Sequence, residues 1–112
     1  MKAEKNWLSG STTLLVLSLL SNGDKYGYEM ISVLEVKSDR TFQLKEGTLY
    51  PILHGLEQAG AVKSYEQESP NGRIRRYYHL TEKGKRLLAS KKEEWHVFSE
   101  AVNAILADCS PA

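Results

Sequence analysis

The most regular hydrophobic pattern of the chain lies between Lys45 and Gly60, in the sequence KEGTLYPILHGLEQAG. Four apolar residues recur there at i, i+3, i+4 and i+7, the spacing of one face of an α-helix: Leu49, Ile52, Leu53 and Leu56. Because proline has no N–H and is tolerated in a helix's first turn, Pro51 predicts a helix that begins near Gly47. Gly60 can supply the left-handed residue that ends this helix.

The residues off this apolar stripe are polar or aromatic, and we expect their side chains to face solvent: Thr48, Tyr50, Pro51 and His54. A short helix that packs its apolar face on the core and exposes a polar and aromatic N-terminal half is typical of a recognition helix in a DNA groove. From this stretch alone, an ordinary amphipathic surface helix is the simpler interpretation. His54 fits a base or phosphate contact and a plain solvated histidine equally well.

Two further helices are predicted before this one. The run Leu14 to Leu20 is apolar on nearly all sides and far shorter than the ~20 residues of a membrane span. It therefore predicts a buried helix, covered in part by another subunit. After the turn Ser21-Asn22-Gly23, Asp24 is expected to cap a second helix, whose apolar stripe is Tyr26, Met30, Ile31 and Leu34. Two helices joined by a short turn form a helix-turn-helix.

After Gly60 the pattern changes to that of extended chain. Residues 62–67 alternate weakly, and residues 74–80 are rich in β-favouring side chains. Asn71-Gly72 between them is the strongest hairpin signal in the chain. The fold class is therefore mainly α with a two-stranded β-wing: a winged helix-turn-helix, to which the first helix and a last helix described below add N- and C-terminal dimerisation helices.

The positive charge is concentrated in this hairpin segment. The whole chain has a net charge of only +1, but residues 61–86 hold seven basic and three acidic side chains. Arg73, Arg75 and Arg76 lie at or beside the tip, where arginine forks suit phosphate oxygens. A solvated, charged hairpin is the alternative; the neighbouring helix-turn-helix favours nucleic acid.

The last predicted helix begins at Thr81 and carries a heptad pattern. Two positions of the heptad are apolar, apart from one lysine. The first position holds Leu88, Trp95, Val102 and Cys109, and the second holds Lys91, Phe98 and Ile105. Such a seam favours a symmetric dimer, although an intramolecular core would show the same apolar residues. We expect the dimer interface to contain Leu14, Leu17, Leu88, Lys91, Trp95, Phe98, Val102 and Ile105. Residues 1–82 would form the DNA-binding domain and residues 83–112 the dimerisation helix.

Three segments together make the chain resemble the PadR family of transcriptional regulators: GSTTLLVLSLLSNGDKYGYEM, EGTLYPILHGLEQAG and GRIRRYYHLTEKGKRLL. The single C-terminal helix is similar to the small, multidrug-binding members, where a tryptophan holds the position of Trp95. The resemblance implies a winged-helix dimer whose recognition helix uses the tyrosine matching Tyr50. Two residues depart from the family pattern: Gly55, where relatives commonly have arginine or lysine, and Ser99, where a drug-binding relative has an acid.

The leading functional hypothesis is a ligand-responsive transcriptional repressor that binds a palindromic operator as a homodimer in the cytoplasm. The expected DNA contacts are Lys45, Gly47, Thr48, Tyr50, Pro51, His54, Gly72, Arg73, Arg75 and Arg76. A winged helix that binds protein rather than DNA is the alternative. An enzyme is rejected, because the three histidines are scattered and no nucleophile–base pair, metal-ligand spacing or phosphate loop is present. No cofactor is expected.

A planar aromatic ligand is the expected effector. Trp95 would meet its symmetry mate in the seam, where two indoles either pack together or leave a slot for a flat molecule. Lys91, one turn earlier, favours a wet seam over a dry one. The expected ligand contacts are Trp95, Phe98 and Ser99, to which the family resemblance adds Trp7. Simple packing of Trp95 in the interface is an equally good interpretation.

Overall fold

The chain forms a mostly helical domain with a small antiparallel sheet. The computed structural model describes residues 5–109, with side chains from residue 11 onward. Over this range the elements are α1 (Lys5–Ser21), β1 (Lys25–Tyr26), α2 (Gly27–Lys37), α3 (Glu46–Gln58), β2 (Val62–Glu68), β3 (Ile74–Leu80) and α4 (Glu82–Asp108). No helix among the described residues is both long and apolar enough to cross a membrane.

The sheet has three strands in the order β1-β3-β2 rather than the two predicted. The predicted hairpin is present: β2 and β3 pair antiparallel from Val62 opposite Leu80 to Glu68 opposite Ile74. The additional strand, β1, pairs Tyr26 with Tyr77 on the other edge of β3. A strand of two residues is too short to show any alternation, so the pattern could not reveal it.

The second helix starts later than predicted, and Asp24 does not cap it. Its N-cap is Tyr26, whose backbone is extended (φ −92°, ψ 165°) and whose N–H donates to Glu29 Oε1 over 3.3 Å. Tyr26 therefore belongs to β1 and not to the apolar stripe of α2. Met30 and Leu34 of that stripe are buried, as expected.

Helix α3 begins at Glu46, one residue before the predicted start, and contains Pro51 as its sixth residue, just beyond the first turn in which proline is favoured. Pro51 is exposed there, so its ring projects to solvent and the helix loses one backbone hydrogen bond. The predicted end is confirmed: Gly60 has φ +80°, and the Ala61 N–H turns back to the Leu56 carbonyl over 2.8 Å.

One core joins α1, α2, α3, the sheet and the start of α4. Its most deeply buried aliphatic side chains are Val16, Leu17, Met30, Leu49 and Leu53. Two residues expected in the dimer interface belong to this core instead, because Leu17 is 0% and Leu88 6% exposed within the single chain. The apolar character of α1 on all sides is thus satisfied largely by the chain itself, with Leu14 only partly covered.

Helix α4 is rooted in the core at its N-terminus and then projects away from it. Thr81 caps it as predicted, since its Oγ1 accepts the Gly84 N–H over 3.1 Å. The same hydroxyl donates to the carbonyl of Gly60 over 2.6 Å, and the Thr81 N–H donates to that of Ala61 over 3.1 Å. The projecting helix gives the chain a length of 59 Å and a radius of gyration of 16.2 Å, against about 13 Å for a compact chain of this size.

Candidate nucleic-acid interface

The N-terminal half of α3 exposes the polar and aromatic face that the sequence predicts. Thr48, Tyr50, Pro51 and His54 are all exposed, while Leu49 and Leu53 on the opposite face are fully buried. Lys45, at the N-cap of the helix, and Gly47 are also exposed. The His54 ring is hydrogen-bonded at 3.3 Å to the amide of Gln58, one turn later on the same face.

Tyr50 is held in place by close packing against the start of α2. A Cβ atom built on Gly27 would lie 2.3 Å from Tyr50 Oη and 2.7 Å from Cζ. Only a residue without a side chain therefore allows the phenol ring to lie here. Tyr50 is still 42% exposed, so one part of its side chain is packed against α2 and another part is accessible to solvent.

The tip of the wing is a tight turn that ends in Gly72. The Gly72 N–H donates to the Ser69 carbonyl over 2.9 Å, and the Ser69 N–H donates to the Arg73 carbonyl over 2.7 Å. Pro70 therefore occupies the second position of the turn, where its fixed φ is favoured, and Gly72 follows with φ +86°. This turn brings Arg73 to the first position after the tip.

A cleft of about 610 Å³ lies between the wing and the N-termini of α2 and α3. It brings four of the predicted DNA-binding residues to one surface: Tyr50, Arg73, Arg75 and Arg76. Its other lining residues are Tyr26, Gly27, Tyr28, Glu46 and Ile74. The remaining predicted contacts, Lys45, Gly47, Thr48, Pro51, His54 and Gly72, are outside this lining. The sequence reasoning did not select Tyr26 or Tyr28, since neither stands in a basic or groove-facing pattern.

The three wing arginines have different surroundings. Arg76 donates to Ser64 Oγ over 3.1 Å and lies 3.8 Å from the Glu66 carboxylate. Arg75 is half-buried, with its guanidinium carbon 4.3 Å from the centroid of the Tyr26 ring. Among the described residues no carboxylate lies within ion-pair distance of Arg73, which is exposed. The charge of Arg73 is thus free of these contacts, that of Arg75 is stacked on a ring, and that of Arg76 is partly neutralised by Glu66.

Three tyrosines form a stacked row on the outer side of the sheet, which we call the tyrosine row: Tyr26, Tyr77 and Tyr65. Tyr26 meets Tyr77 edge to face at 5.5 Å between centroids, and Tyr77 stacks on Tyr65 at 5.7 Å. The row was not predicted from the sequence. Alternating positions 75, 77 and 79 of β3 were its only signal, because Tyr26 joins the row through the unexpected strand β1.

Asp24 anchors the far end of the tyrosine row. Its carboxylate accepts from Tyr65 Oη over 2.7 Å and lies 2.8 Å from His79 Nδ1. Its partial burial alone would raise its pKa, but the bonds from Tyr65 and His79 lower the pKa below its usual value. The hydrogen bond to Asp24 raises the pKa of Tyr65 to about 12, because ionising the phenol would remove the proton that it donates to the carboxylate.

The heptad face of α4 is exposed along the projecting part of the helix. Trp95 is 50% and Phe98 60% exposed, with their rings 5.9 Å apart, and Val102 and Ile105 continue the face. Lys91 and Ser99 are half-buried, and the Ser99 hydroxyl donates to the His96 carbonyl over 3.2 Å. The side chain of Trp7, also expected near the ligand, lies outside the described residues.

Comparison with known proteins gives consistent matches. Residues 16–90 match the Transcriptional regulator PadR-like family. A solved transcriptional regulator from Clostridium thermocellum is 35% identical, with a TM-score of 0.81 over 89% of this chain and 97% of that one. A PadR family transcription regulator from hypervirulent Clostridium difficile is 38% identical, with a TM-score of 0.72 over 86% and 98%.

Transcriptional regulator YqjI of Escherichia coli is 28% identical over 95 residues, which cover 85% of this chain and 44% of that protein. The chain thus spans less than half the length of that regulator. Proteins of the matched family are transcriptional regulators and not enzymes. The winged-helix fold, the cleft between the wing and α3 and these matches lead to one conclusion: the chain belongs to the PadR-like family of transcriptional regulators.

Proposed function

We propose that this regulator is a homodimeric, ligand-responsive repressor that binds a palindromic operator in the cytoplasm. The observation that carries the DNA-binding part is the cleft in which Tyr50 of α3 and the three wing arginines share one surface. The exposed heptad face of α4 supports the dimer, because two-fold symmetry would cover it and repeat the recognition helix for a second half-site.

Each part of the interface has its own role in this proposal. The exposed face around Gly47, Thr48, Tyr50, Pro51 and His54 enters the major groove and contacts base edges. Arg73, Arg75 and Arg76, with the Gly72 backbone and Lys45, contact phosphates and fix the register of the protein on the duplex. Arg73 is exposed and has no ion pair within the described part of the chain, whereas Arg75 is half-buried and Arg76 is ion-paired, so Arg73 offers the most accessible of these charges to a phosphate.

Replacing Arg73 and Arg75 together by alanine tests the phosphate contacts. The slope of log affinity against log salt should become shallower by about two, because each lost phosphate contact lowers it by about one. Binding to the DNA upstream of the gene is measured by anisotropy over a range of salt. Lys63→Ala, which removes an exposed charge of β2 outside the cleft, is the matched control. An unchanged slope in the double variant would exclude the wing as a phosphate clamp.

The dimer interface of this proposal is smaller than the sequence suggested. Leu17 and Leu88 are excluded by their burial, which leaves Leu14 of α1 and Lys91, Trp95, Phe98, Val102 and Ile105 of α4. We place the DNA-binding domain at residues 1–82 and the dimerisation helix at residues 83–112. The first turns of that helix also serve the core of the DNA-binding domain, through Gly84 and Leu88.

A planar aromatic effector would bind beside Trp95 at the two-fold axis, with Phe98, Ser99 and Trp7 around it. The exposed Trp95 and Phe98 rings provide stacking surface, and half-buried Lys91 one turn earlier keeps the seam polar. Binding would couple to DNA by changing the distance between the two recognition helices.

A titration of planar dyes against tryptophan fluorescence tests the effector site. We expect quenching in the parent protein and little in Trp95→Ala, because the indole would stack directly on the dye. Val97→Ala, which removes an exposed apolar residue from another side of α4, should quench like the parent. Equal quenching in the parent and in Trp95→Ala, or none with any dye of a varied panel, would leave Trp95 as a packing residue.

The alternative is a winged helix that binds protein rather than DNA. The exposed Tyr28, Tyr50 and Ile74 at the cleft would suit a protein surface. The salt titration separates the two functions, since steep salt dependence is the signature of phosphate contacts.

A further inference from the structure

We propose that Tyr26 is a positioning residue for DNA binding: its ring holds the Arg75 guanidinium in the cleft, ready to meet a phosphate. This inference rests on the proposed DNA-binding function and adds to it a residue that would touch no DNA itself. It starts from the stack between the two side chains, at 4.3 Å from guanidinium carbon to ring centroid.

The pairing register of the sheet explains why these side chains meet. Tyr26 of β1 lies opposite Tyr77 of β3, so both rings are on the same face of the sheet. Arg75 precedes Tyr77 by two residues and therefore points to that face as well. It is the diagonal neighbour of Tyr26, within reach of a long side chain. The stack is thus a direct result of the two-residue strand β1.

The stack leaves the terminal nitrogens of the Arg75 guanidinium accessible. Arg75 Nε is buried without a hydrogen-bond partner and is bonded to the guanidinium carbon that lies over the ring. The terminal nitrogens are not among the buried unpaired atoms of the described residues, and the side chain lines the cleft. A fork held flat on a ring loses less conformational freedom on binding than a free one. Arg75 therefore presents preorganised donors, whereas Arg73 presents an exposed charge that no ion pair or ring contact from the described residues holds.

The platform under Arg75 is itself fixed. Tyr26 meets Tyr77 at 5.5 Å, Tyr77 stacks on Tyr65 at 5.7 Å, and Tyr65 donates to Asp24 over 2.7 Å. The tyrosine row thus ties the segment before α2 to both strands of the wing. Tyr26 is held by backbone pairing and by ring contacts, which a surface tyrosine such as Tyr28, 64% exposed, lacks.

A double-mutant cycle tests the coupling on DNA. Tyr26→Leu keeps apolar bulk but removes the π face, and we expect it to weaken binding about three- to tenfold and to make the salt slope shallower. In an Arg75→Ala background the same change should have no further effect, since the residue it positions is gone. Tyr26→Phe, which keeps the ring, should bind like the parent. Tyr28→Ala, in the same cleft, should be additive with Arg75→Ala. Additive effects of Tyr26→Leu and Arg75→Ala would overturn the proposal.

A measurement on the free protein separates this inference from the proposed function. The Hε resonance of Arg75 should be shifted upfield by the Tyr26 ring current in the parent and in Tyr26→Phe. The shift should disappear in Tyr26→Leu and persist in Tyr28→Ala. An unshifted Hε in the parent would overturn the stack whatever the DNA result. A shifted Hε in a protein that shows no salt-dependent DNA binding would refute the proposed function and, with it, the role of the stack on DNA.

Discussion

Replacing Gly84 by alanine is expected to lower the free energy of unfolding by about 3 kcal/mol, the upper range for overpacking. A Cβ atom at this position would lie 2.1 Å from the Ala61 carbonyl oxygen and 2.6 Å from Leu80 Cδ1. The carbonyl is backbone, held by the Thr81 N–H over 3.1 Å, so it cannot swing aside as a side chain would. Thermal unfolding by circular dichroism should show a fall in Tm of more than about 10 °C.

Gly55→Ala is the matched control for this substitution. Gly55 also lies in a helix, but a Cβ atom there meets nothing within 4 Å, and the residue is exposed. Alanine should therefore stabilise the protein by about 0.5–1 kcal/mol through helix propensity. If both variants changed stability by the same amount, the contact between Gly84 and Ala61 would not be what requires glycine at the start of α4.

Truncating the chain after Ser90 is expected to give a folded monomer that binds operator DNA on the order of 100-fold more weakly. Leu88, the last residue of α4 in the core, is retained, so the winged helix keeps its packing. The exposed apolar face from Trp95 to Ile105 is lost. Each monomer would then bind a single half-site, and the affinity that comes from linking two half-site contacts in one dimer would be lost. Sedimentation and anisotropy measure the two effects.

Point variants of the full chain test whether the dimer depends on the heptad seam or on any exposed apolar residue of α4. Phe98→Lys should dissociate the dimer, whereas Val97→Lys should leave it intact. Both residues are about 60% exposed in the single chain, but only Phe98 lies in the heptad seam. A dimer that persists after truncation would show that α4 is not the principal interface.

The parts of the fold that the sequence predicted well were those with long periodic patterns. The stripe of Leu49, Leu53 and Leu56 placed α3, and the alternation beside Asn71-Gly72 placed the wing. Asp24 was misassigned because an aspartate after a turn is a common helix cap. Its actual partners, Tyr65 and His79, are 41 and 55 residues away, and no local rule relates residues at such a distance.

The site was predicted as a set of residues but not as an arrangement. Side-chain chemistry alone singled out Tyr50 and the three wing arginines as candidates, and the structure brings these four to one cleft. The stack of Arg75 on Tyr26 depends on the register of β1 against β3, which a two-residue strand does not reveal. Similarly, periodicity marked both Leu88 and Trp95 as seam positions, and only the packing distinguishes the buried residue from the exposed one.

Helix α4 can act as a lever arm, because it is anchored in the core only near its N-terminus. Its 27 residues form an unbroken rod of about 40 Å at 1.5 Å per residue, and the close contact of Gly84 with Ala61 fixes its base to the rest of the domain. Tilting such a rod by about 5° moves its far end by roughly 3.5 Å, which is comparable to the rise of one base pair. In the proposed dimer, a small change in the angle at which the two α4 helices cross would therefore shift each α3 helix by a distance comparable to the spacing of base pairs.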